Sequence, residues 1–364
     1  MGEQSRSHPR EPCRVCSRAR HPTPQRMDQA MSLHYDSPDV QLHHGDALEV
    51  ARTLPDGLAR TIVTSPPYFG LRDYGQDGQH GAESSLTEYV ERMVGLFREL
   101  RRVLAEDGTL WLNLGDSYAN DTKWGAATGG KHASALHGGT EIGRGRTRTG
   151  LPSKSLMGIP WRVAFGLQDD GWIIRSDIIW HKPNPMPESV TDRPTKSHEY
   201  LFLFSKNPNY YYDADAIAED AVKGDAGSSW TEGKTGTHQQ GRAQSAERRQ
   251  GYAEAGGHRD NPSGGYGGRA PELRNKRTVW SVPTVPFPGS HFAVYPPDLI
   301  RPCIRAGSEP GDIVLDPFSG SGTTGAVANF EGRRYVGIDL NSEYLDLSLK
   351  TRFQQPTLPW GETA

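Results

Sequence analysis

Three cysteines in 364 residues are too few for a disulfide framework, and no apolar run reaches the length of a membrane span or a secretory signal. Those absences exclude disulfide-stapled and membrane-spanning classes and make a reducing cytoplasm the expected setting. Cys13 and Cys16 form a C-x-x-C with no second pair nearby, so no metal site is expected. A surplus of positive charge is also missing: 41 Lys and Arg against 44 Asp and Glu leave a net charge of -3. A polyanionic partner would have to be gripped by local basic stretches, not by a global field. Hydrophobic residues make up only 34%, while Gly 42 and Pro 27 are high, so the core is expected to be diluted by polar loops.

What is present alternates between strand-like and helix-like text. Residues 1–35 are polar, Arg- and Pro-rich and aperiodic, and read as a disordered leader with Met27 or Met31 as candidate starts. In 36–119, "VQLHHGD" and "ARTIVTSPPY" are followed by an amphipathic stretch, Leu86 to Leu104, and then "GTLWLNLGDSY". Within that stretch Tyr89, Met93, Leu96, Phe97, Leu100 and Leu104 recur at helical spacing as a core stripe, with Gly108 as the turn signal. Polar segments at 120–156 and 213–278 interrupt the pattern. Between them, 157–212 holds a strand, a Pro-rich connection and a returning strand, and 279–350 ends in strand, glycine turn, helix, strand and helix before a tail, 351–364. Alternation of this kind predicts a doubly wound, Rossmann-like α/β fold with a mixed sheet.

Two motifs carry chemistry. In "IVLDPFSGSGTTGAVA", a buried strand from Ile313 delivers Asp316 to its carboxyl end; Pro317, Phe318 and Ser319 lead into Gly320 and Gly322, where backbone can approach a ligand before a helix opens near Thr323. The next strand, Tyr335 to Ile338, delivers Asp339 about twenty residues later, where an acidic residue suits ribose hydroxyls. A pyrophosphate would be repelled by Asp316 and no Walker lysine is present, so a ribose-bearing uncharged or cationic ligand such as S-adenosylmethionine fits better than a dinucleotide.

The second motif, Thr64-Ser65-Pro66-Pro67-Tyr68, follows the strand Thr61 to Val63. Consecutive prolines hold the chain extended and remove donors, which presents carbonyl oxygens rigidly at a strand end. Acceptors gripping the hydrogens of an exocyclic amine would aim its lone pair at a sulfonium methyl, and Tyr68 offers a face for an extruded base.

Together these motifs resemble the amino-methyltransferases that modify N4 of cytosine or N6 of adenine in DNA. With "SPPY" ahead of the glycine loop, the order is similar to the permuted beta class. The resemblance implies Asp316, Phe318 and the glycine loop for S-adenosylmethionine, Asp339 for its ribose, and Ser65 to Tyr68 for the target amine. It makes "HFAVYPPDLIRPCI" the helix closing over the methionine part, puts "VQLHHGD" beside the Asp339 strand with Asp46 near the adenine, and assigns 213–278 to target recognition. Asp46 also reads as an ordinary helix cap. Ser at the motif's head favours cytosine N4 over adenine N6; RNA and protein-amide methyltransferases usually carry Asn there. Double-stranded DNA is the implied partner, and a homodimer and a separate restriction endonuclease are both compatible.

Other residues receive blander readings. Asp116 reads as structural, and His181 lacks a partner at motif spacing for general-base work. Trp180 to Asn184 is a candidate pocket wall by resemblance. Cys303 precedes the cofactor loop within an apolar helical stretch and reads as core, since direct transfer to an amine needs no thiolate. Gly143 to Arg148 and Arg269 to Arg277 cluster basic residues expected to meet phosphates.

Overall fold

In the computed structural model, residues 31–70, 78–119, 149–220, 273–285 and 295–354 are described. Nine strands form one mixed sheet: β1 (Ser32–Asp36), β2 (Val40–His44), β3 (Ala59–Thr64), β4 (Leu104–Leu114), β5 (Ile173–His181), β6 (His198–Ser205), β9 (Val279–Ser281), β10 (Ile313–Asp316) and β11 (Arg334–Asp339). Their spatial order is β1-β2-β11-β10-β3-β4-β6-β5-β9. From β2 through β4 all neighbours run parallel, and β6 runs antiparallel to both β4 and β5. The carboxyl ends of β2, β11, β10, β3 and β4 therefore share one edge with the start of β6. Ligands bind at that edge in open α/β sheets.

Helices cover both faces. On one, α1 (Ala47–Thr53), α2 (Leu86–Val103) and α3 (Ile159–Asp169) pack on Ile62, Leu110, Leu112, Leu315 and Val336; on the other, α4 (Pro297–Gly307), α5 (Thr323–Phe330) and α6 (Ser342–Ser348) pack on Val63, Trp111, Val314 and Tyr335. Neighbouring residues such as Leu110 and Trp111 go to opposite cores because side chains alternate across a strand. Each fully buried Leu, Val or Phe contributes roughly 1.5–3 kcal/mol. Helix α2 follows the expected stripe, with Leu86, Tyr89, Met93, Leu96, Phe97, Leu100 and Val103 buried. Ser85 caps it by accepting from Glu88 N at 3.2 Å. At its far end the helix passes directly into β4 at Leu104, so Gly108 is a strand residue, not a turn. Its missing side chain matters there, because a Cβ would sit 2.8 Å from the Arg60 carbonyl.

The expected leader needs correction at its boundary. Ser32–Asp36 is an edge strand paired with β2, so residues 32–35 belong to the sheet. The polar insertion at 213–278 is closed at its base by a two-stranded ribbon, β7 (Glu219–Asp220) with β8 (Leu273–Arg274). Residues 120–148 and 221–272 lie outside the described residues, as do Cys13, Cys16 and the basic stretch Gly143 to Arg148. No helix among the described residues is long and apolar enough to cross a membrane.

Candidate active site

Adjacent strands β10 and β3 bring the two motifs together at the sheet edge. On the β10 side, Asp316 is a buried hub. Its Oδ1 accepts from Thr64 Oγ1 at 2.7 Å and Phe318 N at 3.0 Å; its Oδ2 accepts from Thr324 Oγ1 at 2.6 Å and Tyr295 OH at 3.3 Å. The Tyr295 hydroxyl is also in hydrogen-bond contact with Thr324 Oγ1, so its one proton is shared between that oxygen and the longer bond to Asp316. The carboxylate thus ties β3, the glycine loop, α5 and the segment entering α4 into one unit. Burial pushes its pKa up, against the pull of these four donors.

Pro317 and Phe318 then lead into the turn. Ser319 N donates to Ile338 O at 2.8 Å, and Ser319 Oγ accepts from Tyr335 OH at 2.9 Å. Gly320 (φ +51°) and Gly322 (φ +76°) are left-handed, a conformation that favours glycine. Gly322 precedes Thr323 as the cap of α5, with no side-chain hydrogen bond at the cap, and a Cβ on it would come within 2.8 Å of Ser348 Cβ. Asp339, at the end of β11, accepts from Gly320 N at 2.7 Å and Asn341 N at 2.8 Å, and burial raises it to about 6.

Asp46 lies at the end of β2, which pairs in parallel with β11 as expected. Its Oδ1 caps α1, accepting from Leu48 N and Glu49 N at 3.0 and 3.1 Å. His80 stands edge-on to Phe318, with ring centroids 5.3 Å apart. Burial, with Arg92 beside it, lowers its pKa to about 4, so the ring is neutral; Glu83 Oε1 lies 3.8 Å from Nδ1, and neither nitrogen has a hydrogen-bond partner among the described residues. A buried, unpaired imidazole against the glycine loop fits a cleft whose polar ligand completes its bonding. With two strand-end carboxylates beside a left-handed glycine turn, this donor and acceptor set fits a cationic nucleoside.

On the β3 side, Ser65, Pro66, Pro67 and Tyr68 leave the strand in extended chain. The Pro67 carbonyl accepts from Tyr89 OH at 3.0 Å and is thereby turned toward α2. Ser65 Oγ lies 3.2 Å from Asn113 Oδ1 and 3.4 Å from Tyr68 OH. Tyr68 OH donates to Glu199 Oε2 at 2.8 Å, with Asn113 Oδ1 at 3.1 Å. Its ring lies against Gly115, where a Cβ would come within 2.4 Å of Cε2. Burial and the Glu199 charge hold the phenol well above its ordinary pKa, so it stays neutral.

The remaining candidates have structural partners. Asp116 caps α3, accepting from Gly158 N at 3.0 Å and Ile159 N at 3.1 Å. Trp180 is buried and donates to Val282 O at 2.8 Å, Asn184 pairs with Thr284, and His181 Nδ1 meets Ser281 Oγ at 3.1 Å. Of that segment only Lys182 reaches the site, through Glu199 at 2.5 Å. Cys303 is buried and its thiol pushed well up in pKa, which disfavours a thiolate. Arg274 and Arg277, the described arginines of the second basic stretch, both donate to Glu219 at 3.0 Å. From the sequence Thr64 is part of the motif without a role of its own, and no role is read for Thr324 and Tyr295 around Asp316 or for Asn113 and Glu199 around Tyr68. A lone amide inside "LWLNL" and a carboxylate opening "HEYLFLFS" were the available signals.

The chain is similar to known DNA methyltransferases. Type II methyltransferase M.Cfr9I of Citrobacter freundii is 47% identical over 308 residues, spanning 85% of this chain and 86% of the relative. M.SmaI of Serratia marcescens is 45% identical over 304 residues, 84% of this chain and 87% of the relative. Among solved structures, the cytosine-N4-specific PvuII DNA methyltransferase superposes with a TM-score of 0.58 over 90% of both chains at 18% identity, which is a likeness of fold. Residues 59–350 match the N6_N4_Mtase family of DNA methylases, and the chain belongs to that family.

Proposed function

We propose that this chain transfers a methyl group from S-adenosylmethionine to the exocyclic N4 amine of cytosine in double-stranded DNA. The observation that carries the proposal is the Thr64–Asp316 bond of 2.7 Å, which joins the Ser65 motif and the glycine loop at one edge. Ser65 at the motif's head favours cytosine N4 over adenine N6.

The bound cofactor supplies an electrophilic sulfonium methyl. Asp339 accepts from its ribose hydroxyls; the Asp316-braced loop from Pro317 to Thr323 cradles it; and Asp46 closes the adenine side with the carboxylate oxygen not engaged in the α1 cap. Ser65 Oγ and the Pro66 carbonyl hold the two hydrogens of the target amine, so that its lone pair points along the transfer line, while Tyr68 and Pro67 form the floor under the flipped base. Most of the acceleration comes from this orientation. Basic stretches of the two insertions grip phosphates, and a separate restriction endonuclease is compatible with this role. A filter assay of labelled methyl transfer to amplified, unmodified DNA tests the activity: incorporation supports it, and none above an Asp316→Ala control contradicts it.

The Asp339 role gives a pH dependence. Burial lifts the carboxyl from 3.8 to about 6, so its contribution to the stability of the ligand-free protein is full below pH 3.8 and lost as pH rises through about 6. Ribose hydroxyls and a sulfonium charge favour the ionised form, so cofactor binding releases a proton below that value. Cofactor affinity by calorimetry should rise about tenfold from pH 5 to 7 and then level off. A flat profile from pH 5 to 7 would remove Asp339 from the ribose.

A further inference from the structure

The geometry points to Glu199 as a positioning residue that fixes the polarity of the Ser65 hydroxyl, making its oxygen a pure acceptor toward the cleft. This rests on the reading of Ser65 as an acceptor for the target amine.

Bonding around Asn113 determines where each proton goes. The Tyr200 carbonyl can only accept, so the Asn113 atom 3.0 Å from it is the amide nitrogen. The same Nδ2 donates its second hydrogen to Glu199 Oε2 at 3.3 Å. With the amide held at both hydrogens, Oδ1 faces Ser65 Oγ at 3.2 Å and Tyr68 OH at 3.1 Å. Tyr68 has a single proton, and the shorter, charge-assisted bond of 2.8 Å to Glu199 takes it. Asn113 Oδ1 at 3.2 Å is therefore the nearer acceptor for the Ser65 proton, ahead of the Tyr68 oxygen at 3.4 Å, and with its proton in either bond Ser65 presents only lone pairs to the cleft.

Glu199 is itself anchored, since Lys182 Nζ donates to its other oxygen at 2.5 Å and lies 4.1 Å from the Trp180 ring centre. The chain of donors runs from Lys182 and Tyr68 into Glu199, from Asn113 into Glu199, and from Ser65 into Asn113. An acceptor-only Ser65 suits an amine with two hydrogens. It meets a keto oxygen at the same ring position, as on thymine or uracil, acceptor to acceptor, so the relay selects for an amine.

Without the Glu199 charge, the Tyr68 proton turns to Asn113 Oδ1 and competes with Ser65, whose own proton then swings into the cleft. Glu199→Gln keeps the volume and removes the charge that takes the Tyr68 proton and pairs with Lys182. Its kcat on amplified, unmodified DNA should fall at least 20-fold, with the calorimetric Kd for S-adenosylmethionine and the Kd for DNA each within twofold of wild type. In a Ser65→Ala background the same substitution should cost less than a further twofold, because the hydroxyl it controls is gone. Multiplying losses in both backgrounds, or no loss from Glu199→Gln alone, overturns the assignment. Should Glu199→Gln fail to fold, Lys182→Met tests the same link from its half-buried end, with a smaller loss that must likewise vanish in the Ser65→Ala background. Absence of methyl transfer by the wild-type protein would instead contradict the proposed function.

Discussion

Ser65→Ala is expected to lower kcat for DNA methylation by about 10²–10³-fold, the loss typical when one preorganised polar contact to a reacting group is removed. Cofactor affinity should stay within about threefold, because nothing in the variant reaches the hub around Asp316. The hydroxyl at 3.2 Å from Asn113 is braced by a network, not by the fold as a whole, so the substitution leaves only a small gap at a half-buried position. Single-turnover transfer of labelled methyl to DNA measures the effect without product release. A kcat near wild type would show that Ser65 is a turn residue, and a parallel collapse of cofactor affinity would place it on the wrong side of the cleft.

Asp316→Ala is expected to act on stability and on cofactor binding together. From the sequence the carboxylate reads as a cofactor ligand whose loss spares the fold. In the structure all four of its bonds go to the protein, and Thr64 and Thr324 are themselves buried at 1% exposure. Deleting it strands two threonine hydroxyls, a tyrosine hydroxyl and the Phe318 amide, at about 1–3 kcal/mol for each buried group left unpaired. Partial rebonding, such as the existing Tyr295–Thr324 contact, reduces the sum. We therefore expect a large drop in Tm and at least a hundredfold loss of cofactor affinity, since the loop from Pro317 to Gly322 loses its brace. Asp316→Asn, isosteric and still an acceptor at one atom, should recover part of the stability because hydroxyl protons can rotate to meet it. Calorimetric unfolding and cofactor titration of both variants check this. An unchanged Tm with lost affinity would restore the simpler reading of Asp316 as a direct ligand.

The parts of the fold that were legible before the structure are those with a local signature. The stripe of α2, the apolar runs of β3, β10 and β11, and the hairpin-like return of β5 and β6 each announce themselves within a dozen residues. Edge strand β1 does not: five residues beside an Arg- and Pro-rich stretch, three of them exposed, offer little periodicity. At the site, strand-end positions of Asp316, Asp339 and Asp46 were readable, but their partners were not. Thr64 meets Asp316 across 252 residues and Tyr68 meets Glu199 across 131, because both bonds form only once the sheet has ordered β3 between β10 and β4. Asp46 shows the converse. Gly-Asp before a helix predicts a cap, and the cap forms, yet one carboxylate can cap with one oxygen and face the cleft with the other.

The most direct test of the account is the identity of the methylated base. C5 methylation requires covalent attack by a thiolate, and the buried Cys303 is the free cysteine of the described residues. An exocyclic amine needs only its lone pair aimed by Ser65 and the Pro66 carbonyl. Amplified DNA treated with the purified protein and S-adenosylmethionine, digested to nucleosides and analysed by mass spectrometry, should contain N4-methylcytosine. N6-methyladenine alone would keep the mechanism and overturn the choice of base, whereas C5-methylcytosine would contradict the mechanism itself.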